Sequence, residues 1–165
     1  DLTSTPEITW ALQALKSLTL QFSAQAKLPQ WLGELTSLEK LAIVYNKELE
    51  ELPDNMRRLK QLQSLTLDAC CSLERLPLWL GELTSLKKLA IFGCNAITTL
   101  PDILQQLINL QELEIVDCPN LEQWCEAEEN KTMLAHIEQT VCMCPTMLYR
   151  YSYIDFALAV YLVHR

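Results

Sequence analysis

Apolar and polar positions alternate in five short runs along the chain. The aliphatic positions are Leu15, Leu18 and Leu20; Leu38, Leu41 and Ile43; Leu62, Leu65 and Leu67; Leu86, Leu89 and Ile91; and Leu110, Leu113 and Ile115. The middle leucines are spaced by 23, 24, 24 and 24 residues. Alternation with a period of two marks a strand with one buried face. The pattern therefore predicts five strands, at 16–20, 39–43, 63–67, 87–91 and 111–115. Three residues past each run stands Ser23, Asn46, Cys70, Cys94 or Cys118, and three further on Ala26, Leu49, Leu73, Ile97 or Leu121. A second pattern fills the rest of each period. Leu28-Pro29, Leu52-Pro53, Leu76-Pro77 and Leu100-Pro101 are each followed by apolar residues four and seven beyond the Leu, as in Leu32 and Leu35. That spacing predicts a short helical or 3-10 turn opened by a proline.

One such unit cannot bury its own leucines, so units must stack and bury each other's. The chain repeats because each copy is one turn of a solenoid, with parallel strands ~4.8 Å apart. Where each strand ends, the chain bends inward and leaves backbone groups without ladder partners. Asn46 has an amide to offer them; Cys70, Cys94 and Cys118 are compact, apolar and weak donors. These cysteines read as structural because they recur at ladder positions rather than at metal-ligand spacing.

The pattern LxxLxLxxN/CxL with a 24-residue period resembles that of leucine-rich repeats. The expected fold class is accordingly α/β, a leucine-rich-repeat solenoid: a short arc with a parallel concave β-sheet and short helical or 3-10 turns on the convex side. Residues 1–125 are expected to form about five repeats, and residues 126–165 a C-terminal capping segment or extension. The apolar "MLYRYSYIDFALAVYLV" is expected to pack over the strand at 111–115 and the turn around Leu121 and Trp124. Two stretches, "LPDNMRRLKQLQSLTLDACCSLERLP" and "TSLKKLAIFGC", resemble the repeats of plant intracellular nucleotide-binding immune receptors, coiled-coil class, cereal-like. Residues 118–139, "CPNLEQWCEAEENKTMLAHIEQ", look like the usual C-terminal end of such a receptor. The resemblance covers roughly residues 12–140; the first unit is weaker, with Ser23 and Ala26 in place of Asn/Cys and Leu. It implies a recognition and autoinhibition module in plant defence. The partner would be a pathogen effector or the receptor's own nucleotide-binding core. A generic intracellular leucine-rich scaffold mediating protein–protein contacts is the alternative.

Function is expected on the concave face, where the positions between the inward aliphatics point. The central column Thr19, Ala42, Thr66 and Ala90 makes a low floor, reaching Glu114 at the end. Candidate protein-binding residues are Lys40, Val44, Tyr45, Asp68, Lys87, Lys88, Phe92, Glu112, Glu114 and Val116. Lysines are expected on one side and acids toward the C-terminal end. Val44, Phe92 and Val116 are expected as an exposed row of apolar anchors. Trp31 and Trp79 share a position on the convex turn, where they read as packing between turns.

The net charge of −8 argues against a nucleic-acid backbone as partner. No stretch is long and clean enough to span a bilayer. Seven cysteines, an odd number, fit reduced thiols in a cytoplasmic or nuclear setting. There is no phosphate-binding glycine loop and no supported catalytic set, so no enzyme activity and no cofactor are expected. His136, Cys142 and Cys144 lack a fourth ligand at recognised spacing, so no metal is expected. The opening "DLTSTPEITW" reads as a cut from something longer, and the first strand's outer edge is expected to be partly open or to self-associate.

Overall fold

A computed structural model describes residues 13–21 and 26–143. Ser23, residues 1–12 and residues 144–165, with the expected apolar cap, lie outside the described residues. Among the described residues, six strands form one parallel sheet in chain order: β1 Ser17–Gln21, β2 Lys40–Val44, β3 Ser64–Asp68, β4 Lys88–Phe92, β5 Glu112–Val116 and β6 Gln139–Met143. The register carries no slip. Leu18, Leu41, Leu65, Leu89 and Leu113 align across five strands, as do Leu20, Ile43, Leu67, Ile91 and Ile115.

Each of the first five strands begins and ends one residue later than the alternation predicts. The hydrogen bonds explain the offset. The residue before each strand lends its carbonyl to two successive N–H groups of the next turn: Lys16 to Glu39 and Lys40, Glu39 to Gln63 and Ser64, Gln63 to Lys87 and Lys88. That residue is a pivot rather than a rung. At the far end the ladder continues, with Tyr45 N–H donating to Asp68 O, Ala69 to Phe92 and Gly93 to Val116.

Past each strand the chain turns inward through a left-handed residue. Tyr45, Ala69, Gly93 and Asp117 occupy this column at φ of 55°, 53°, 60° and 58°. Three of the four are not glycine, and each such residue costs roughly 1–2 kcal/mol. The turn is held in place by the buried residue that follows it, Asn46, Cys70, Cys94 or Cys118. Asn46 Nδ2 donates to Leu20 O at 3.1 Å and Val44 O at 3.0 Å. The thiols repeat the same pair of contacts: Cys70 to Ile43 and Asp68, Cys94 to Leu67 and Phe92, Cys118 to Ile91 and Val116. Every rung therefore spans one turn and the turn before it.

On the convex side, 3-10 turns run over Gln30–Glu34, Asp54–Arg58, Leu78–Glu82 and Asp102–Gln106. Pro29, Pro53, Pro77 and Pro101 stand immediately before them in extended conformation, at φ −66° to −73°. Proline fits because its ring presets that φ and the position needs no ladder N–H. The leucines of both halves meet in one continuous core from Leu28 to Ile137.

The convex turns are not equivalent. Gly33 and Gly81 stand where the second and fourth turns carry Arg57 and Gln105. A Cβ on Gly33 would lie 2.5 Å from Asn55 O, and one on Gly81 2.3 Å from Ile103 Cγ1. The first turn thus fits closely onto the second, and the third onto the fourth. Asn55 Nδ2 also donates to Gln30 O across the first of these contacts. Both glycine-bearing turns lie within the segments that echo each other two periods apart, residues 28–43 and 76–91. Trp79 is buried, and Trp31 is packed against the core.

After β5 the architecture changes. Helix α1, Pro119–Glu126, replaces the loop and 3-10 turn, and α2, Glu128–Leu134, follows. Pro119 begins α1, and Glu122 folds back to accept the Cys118 N–H at 2.9 Å, satisfying a donor at the helix start. Leu121, Cys125, Leu134 and Ile137 close over the core. The chain then adds β6 beside β5, where no strand is predicted from the sequence. Its residues facing Leu113 and Ile115 in the register are Thr140 and Cys142. The aliphatics that flag the other strands are missing from its inward positions.

Candidate protein-docking face

The zero-slip register turns the outward residues into rows. The first is Ser17, Lys40, Ser64, Lys88, Glu112 and Gln139. The second is Thr19, Ala42, Thr66, Ala90, Glu114 and Val141; the third is Gln21, Val44, Asp68, Phe92, Val116 and Met143. Residues distant in sequence become neighbours because consecutive turns place the same repeat position side by side. The sheet brings Lys40, Val44, Asp68, Lys88, Phe92, Glu112 and Glu114 onto one face. Lys87 is exposed just before β4, and Tyr45 is exposed at the rim just past β2.

The lysine side and the acidic C-terminal end meet. Lys88 Nζ lies 3.0 Å from Glu112 Oε2 and 2.9 Å from Glu114 Oε1, so lysine and acids form one cluster across β4 and β5. Partial burial acts to lower the Lys88 pKa. The hydrogen bonds to Glu114 and Glu112, and their charges, outweigh it and leave Lys88 above the ordinary lysine value.

Val116 requires a correction. Expected as an exposed anchor, it is 3% exposed, because β6 lies alongside and pairs it with Met143. Met143, 51% exposed, takes the end of the apolar row instead. Ala90 is buried too, a one-carbon side chain with Thr66 and Glu114 beside it in the register. Sequence reasoning missed Gln139, Val141 and Met143 as a sixth column. The available signal was an inverted alternation, with the apolar residues of β6 on the outward positions.

Asp68 interrupts the apolar row between Val44 and Phe92. Burial there pushes its carboxyl above the ordinary carboxylate range. The sign for stability follows directly. A carboxyl raised by folding binds its proton more readily in the folded state, so it favours folding at low pH. That contribution is lost as pH rises through the window between the ordinary and raised values. Asp68→Asn should therefore be neutral or stabilising at pH 7, with its advantage shrinking as pH falls through that window. Urea denaturation of both proteins across acid pH checks this; a variant less stable than the original at pH 7 would show that the carboxylate is stabilised instead.

Among the described residues no group of three or more His, Cys, Asp or Glu side chains is placed to hold a metal ion. His136 Nδ1 lies 3.1 Å from Met133 O, while Cys142 Sγ lies beside Cys125 Sγ. Cys144 is outside the described residues. No helix among the described residues is long and apolar enough to cross a membrane.

Residues 5–142 match the family described as a leucine-rich repeat region. No curated protein matches the chain. Among solved structures, a leucine-rich repeat protein of Leptospira interrogans superposes with a TM-score of 0.64 at 24% identity. The overlap covers 84% of this chain and 34% of that one. The leucine-rich repeat domain of the type III effector XopL gives a TM-score of 0.59 at 21% identity, covering 84% of this chain and 56% of the other. At these identities the likeness concerns the fold, and the chain spans only about a third and just over half of those neighbours' lengths.

Proposed function

The chain belongs to the leucine-rich repeat region family, and on that premise we propose that it is a protein-docking scaffold whose partner lies across the concave face of β2–β5. One observation carries the reading. The third row puts an aromatic, Phe92, and an aliphatic, Val44, on the outward side of the sheet with a partly desolvated carboxylate between them. A partner that covers the row gains apolar burial and can offer Asp68 a cation or donor, which bulk water supplies poorly there. Aromatic anchors of this kind can carry ~2 kcal/mol or more of binding energy.

The test compares the two faces. Phe92→Ala on the concave side is set against Leu78→Ala and Ile108→Ala on the opposite side, where these side chains are 73% and 79% exposed. Proteins retained by the original chain should be retained by the convex variants. With Phe92→Ala they should dissociate faster, with affinity down by roughly 30-fold, the equivalent of ~2 kcal/mol. Retention that depends on Leu78 or Ile108 but not on Phe92 would place the docking surface on the other side. Lys87→Glu should slow association with an acidic partner at low salt while leaving thermal stability nearly unchanged. Lys88→Glu lacks that clean separation, because it would set three carboxylates together with Glu112 and Glu114.

The narrower reading is a recognition and autoinhibition module of a plant immune receptor. It is supported by the repeat motifs and by the segment at 118–139. In a longer parent protein, Phe92→Ala would then abolish the response to a pathogen effector if the face reads the ligand. It would cause constitutive activity if the face restrains the nucleotide-binding core. A parent unaffected in both respects leaves the scaffold reading alone.

A further inference from the structure

Cys125 stands in the last turn of α1 and Cys142 one residue before the end of β6, seventeen residues apart. Their sulfurs are 2.9 Å apart, against ~2.03–2.05 Å for a formed disulfide. The ladder cysteines are differently placed. Cys70, Cys94 and Cys118 are fully buried, and each is hydrogen-bonded to two carbonyls. Cys142 is only half-buried, whereas Cys125 is buried. Among the described residues no third ligating side chain stands beside them.

We propose that Cys125 and Cys142 are a reversible oxidation site, whose disulfide clamps strand β6 to helix α1. The oxidant is a peroxide. The Cys142 thiolate attacks one oxygen of hydrogen peroxide; the O–O bond breaks and the leaving hydroxide is protonated to water. Cys142 is now a sulfenic acid. The Cys125 sulfur attacks the Cys142 sulfur, the S–O bond breaks, and the departing hydroxide takes the Cys125 proton and leaves as a second water. Two thiols have lost two electrons and one peroxide has gained them. A small thiol such as glutathione reverses the reaction by exchange.

The electrostatics fit this order of events. The hydrogen bond with Cys125 lowers the pKa of Cys142, outweighing burial and the Glu122 carboxylate. Cys125, hydrogen-bonded to Cys142 and buried, is pushed far up. The difference in burial sets the roles: Cys142, the less buried of the two, is the attacking sulfur and the buried Cys125 the one that resolves. The effect on the fold follows from topology. The bond would close a loop containing all of α2 and tie β6 to a helix seated on the core. Because β6 covers Val116 and supplies the sixth column, the clamp would make opening of that end of the face rarer.

The whole chain, reduced and then exposed to hydrogen peroxide, gives the test without any substitution. Free thiols are alkylated and the protein is mapped by peptide mass. A peptide pair joining Cys125 to Cys142, lighter by two hydrogens and separated again by glutathione, is expected. Hydrogen exchange over residues 139–143 should slow by roughly tenfold or more in the oxidised form. Cys144→Ser should leave the cross-link in place, and Cys142→Ser should abolish it. A cross-link through Cys71 or Cys144 instead, or two alkylated thiols at 125 and 142 after peroxide, would overturn the assignment. A Cys125–Cys142 bond that leaves exchange in β6 unchanged would overturn the clamp.

Discussion

Replacing Asn46 with leucine should lower the unfolding free energy by about 1–3 kcal/mol. The side chain is fully buried, and its amide donates to two backbone carbonyls, one in its own turn and one in the preceding turn. Leucine has the same number of side-chain heavy atoms but no donor, so both carbonyls would lose that partner in a place water does not reach. The expected cost is therefore a desolvation cost rather than a cavity cost. Asn46→Cys should recover part of it, since the next three turns use a thiol at this position. Cys94→Ser should cost less than Asn46→Leu, because a hydroxyl still donates and merely packs less well. Urea denaturation with an unchanged slope separates a loss of stability from a change in the unfolded chain. If Asn46→Leu and Cys94→Ser are both neutral, the rungs do not hold the turns together.

A methyl group at Gly33 or Gly81 should be just as disruptive, against local preference. In an isolated helix, glycine to alanine is favourable by ~0.8–1.0 kcal/mol. Here the added Cβ meets the following turn, and overpacking of this kind costs about 1–3 kcal/mol. The two sites should differ in how they are rescued. At Gly81 the nearest obstacle is the Ile103 side chain, so Ile103→Ala should restore much of what Gly81→Ala removes. At Gly33 the obstacle includes the Asn55 carbonyl oxygen, a backbone atom that no substitution at 55 deletes. A double-mutant cycle that finds equal rescue at both sites would show that the glycines serve something other than this close approach.

The leucine alternation revealed five strands to within one residue, and the Asn/Cys column revealed its own hydrogen bonds. Both signals are local and repeat, so each copy reinforced the others. What escaped lay where repetition stopped. β6 presents Thr140 and Cys142 to the inside, a pattern that reads as polar unless the strand beside it is known. Val116 was misread for the same reason: its burial comes from that unrecognised neighbour. The Lys88 cluster was hidden differently. Alternation shows which face a residue points to, but only the register between turns shows that Lys88 reaches two glutamates on β5. The Cys125–Cys142 pair is likewise a product of the departure from the repeat, since it joins a helix to a strand that no earlier turn contains.

The close fit of Gly33 under the second convex turn, and of Gly81 under the fourth, has a bearing on how such a chain can change length. A deletion or insertion of one 24-residue unit would preserve the leucine register and every rung. It would also set a turn shaped to receive a glycine against one that carries Arg57 or Gln105 there. Adding or removing two units at once keeps every neighbour it had. For this solenoid, a change in length by 48 residues is expected to leave the convex interfaces intact, and a change by 24 to disturb them.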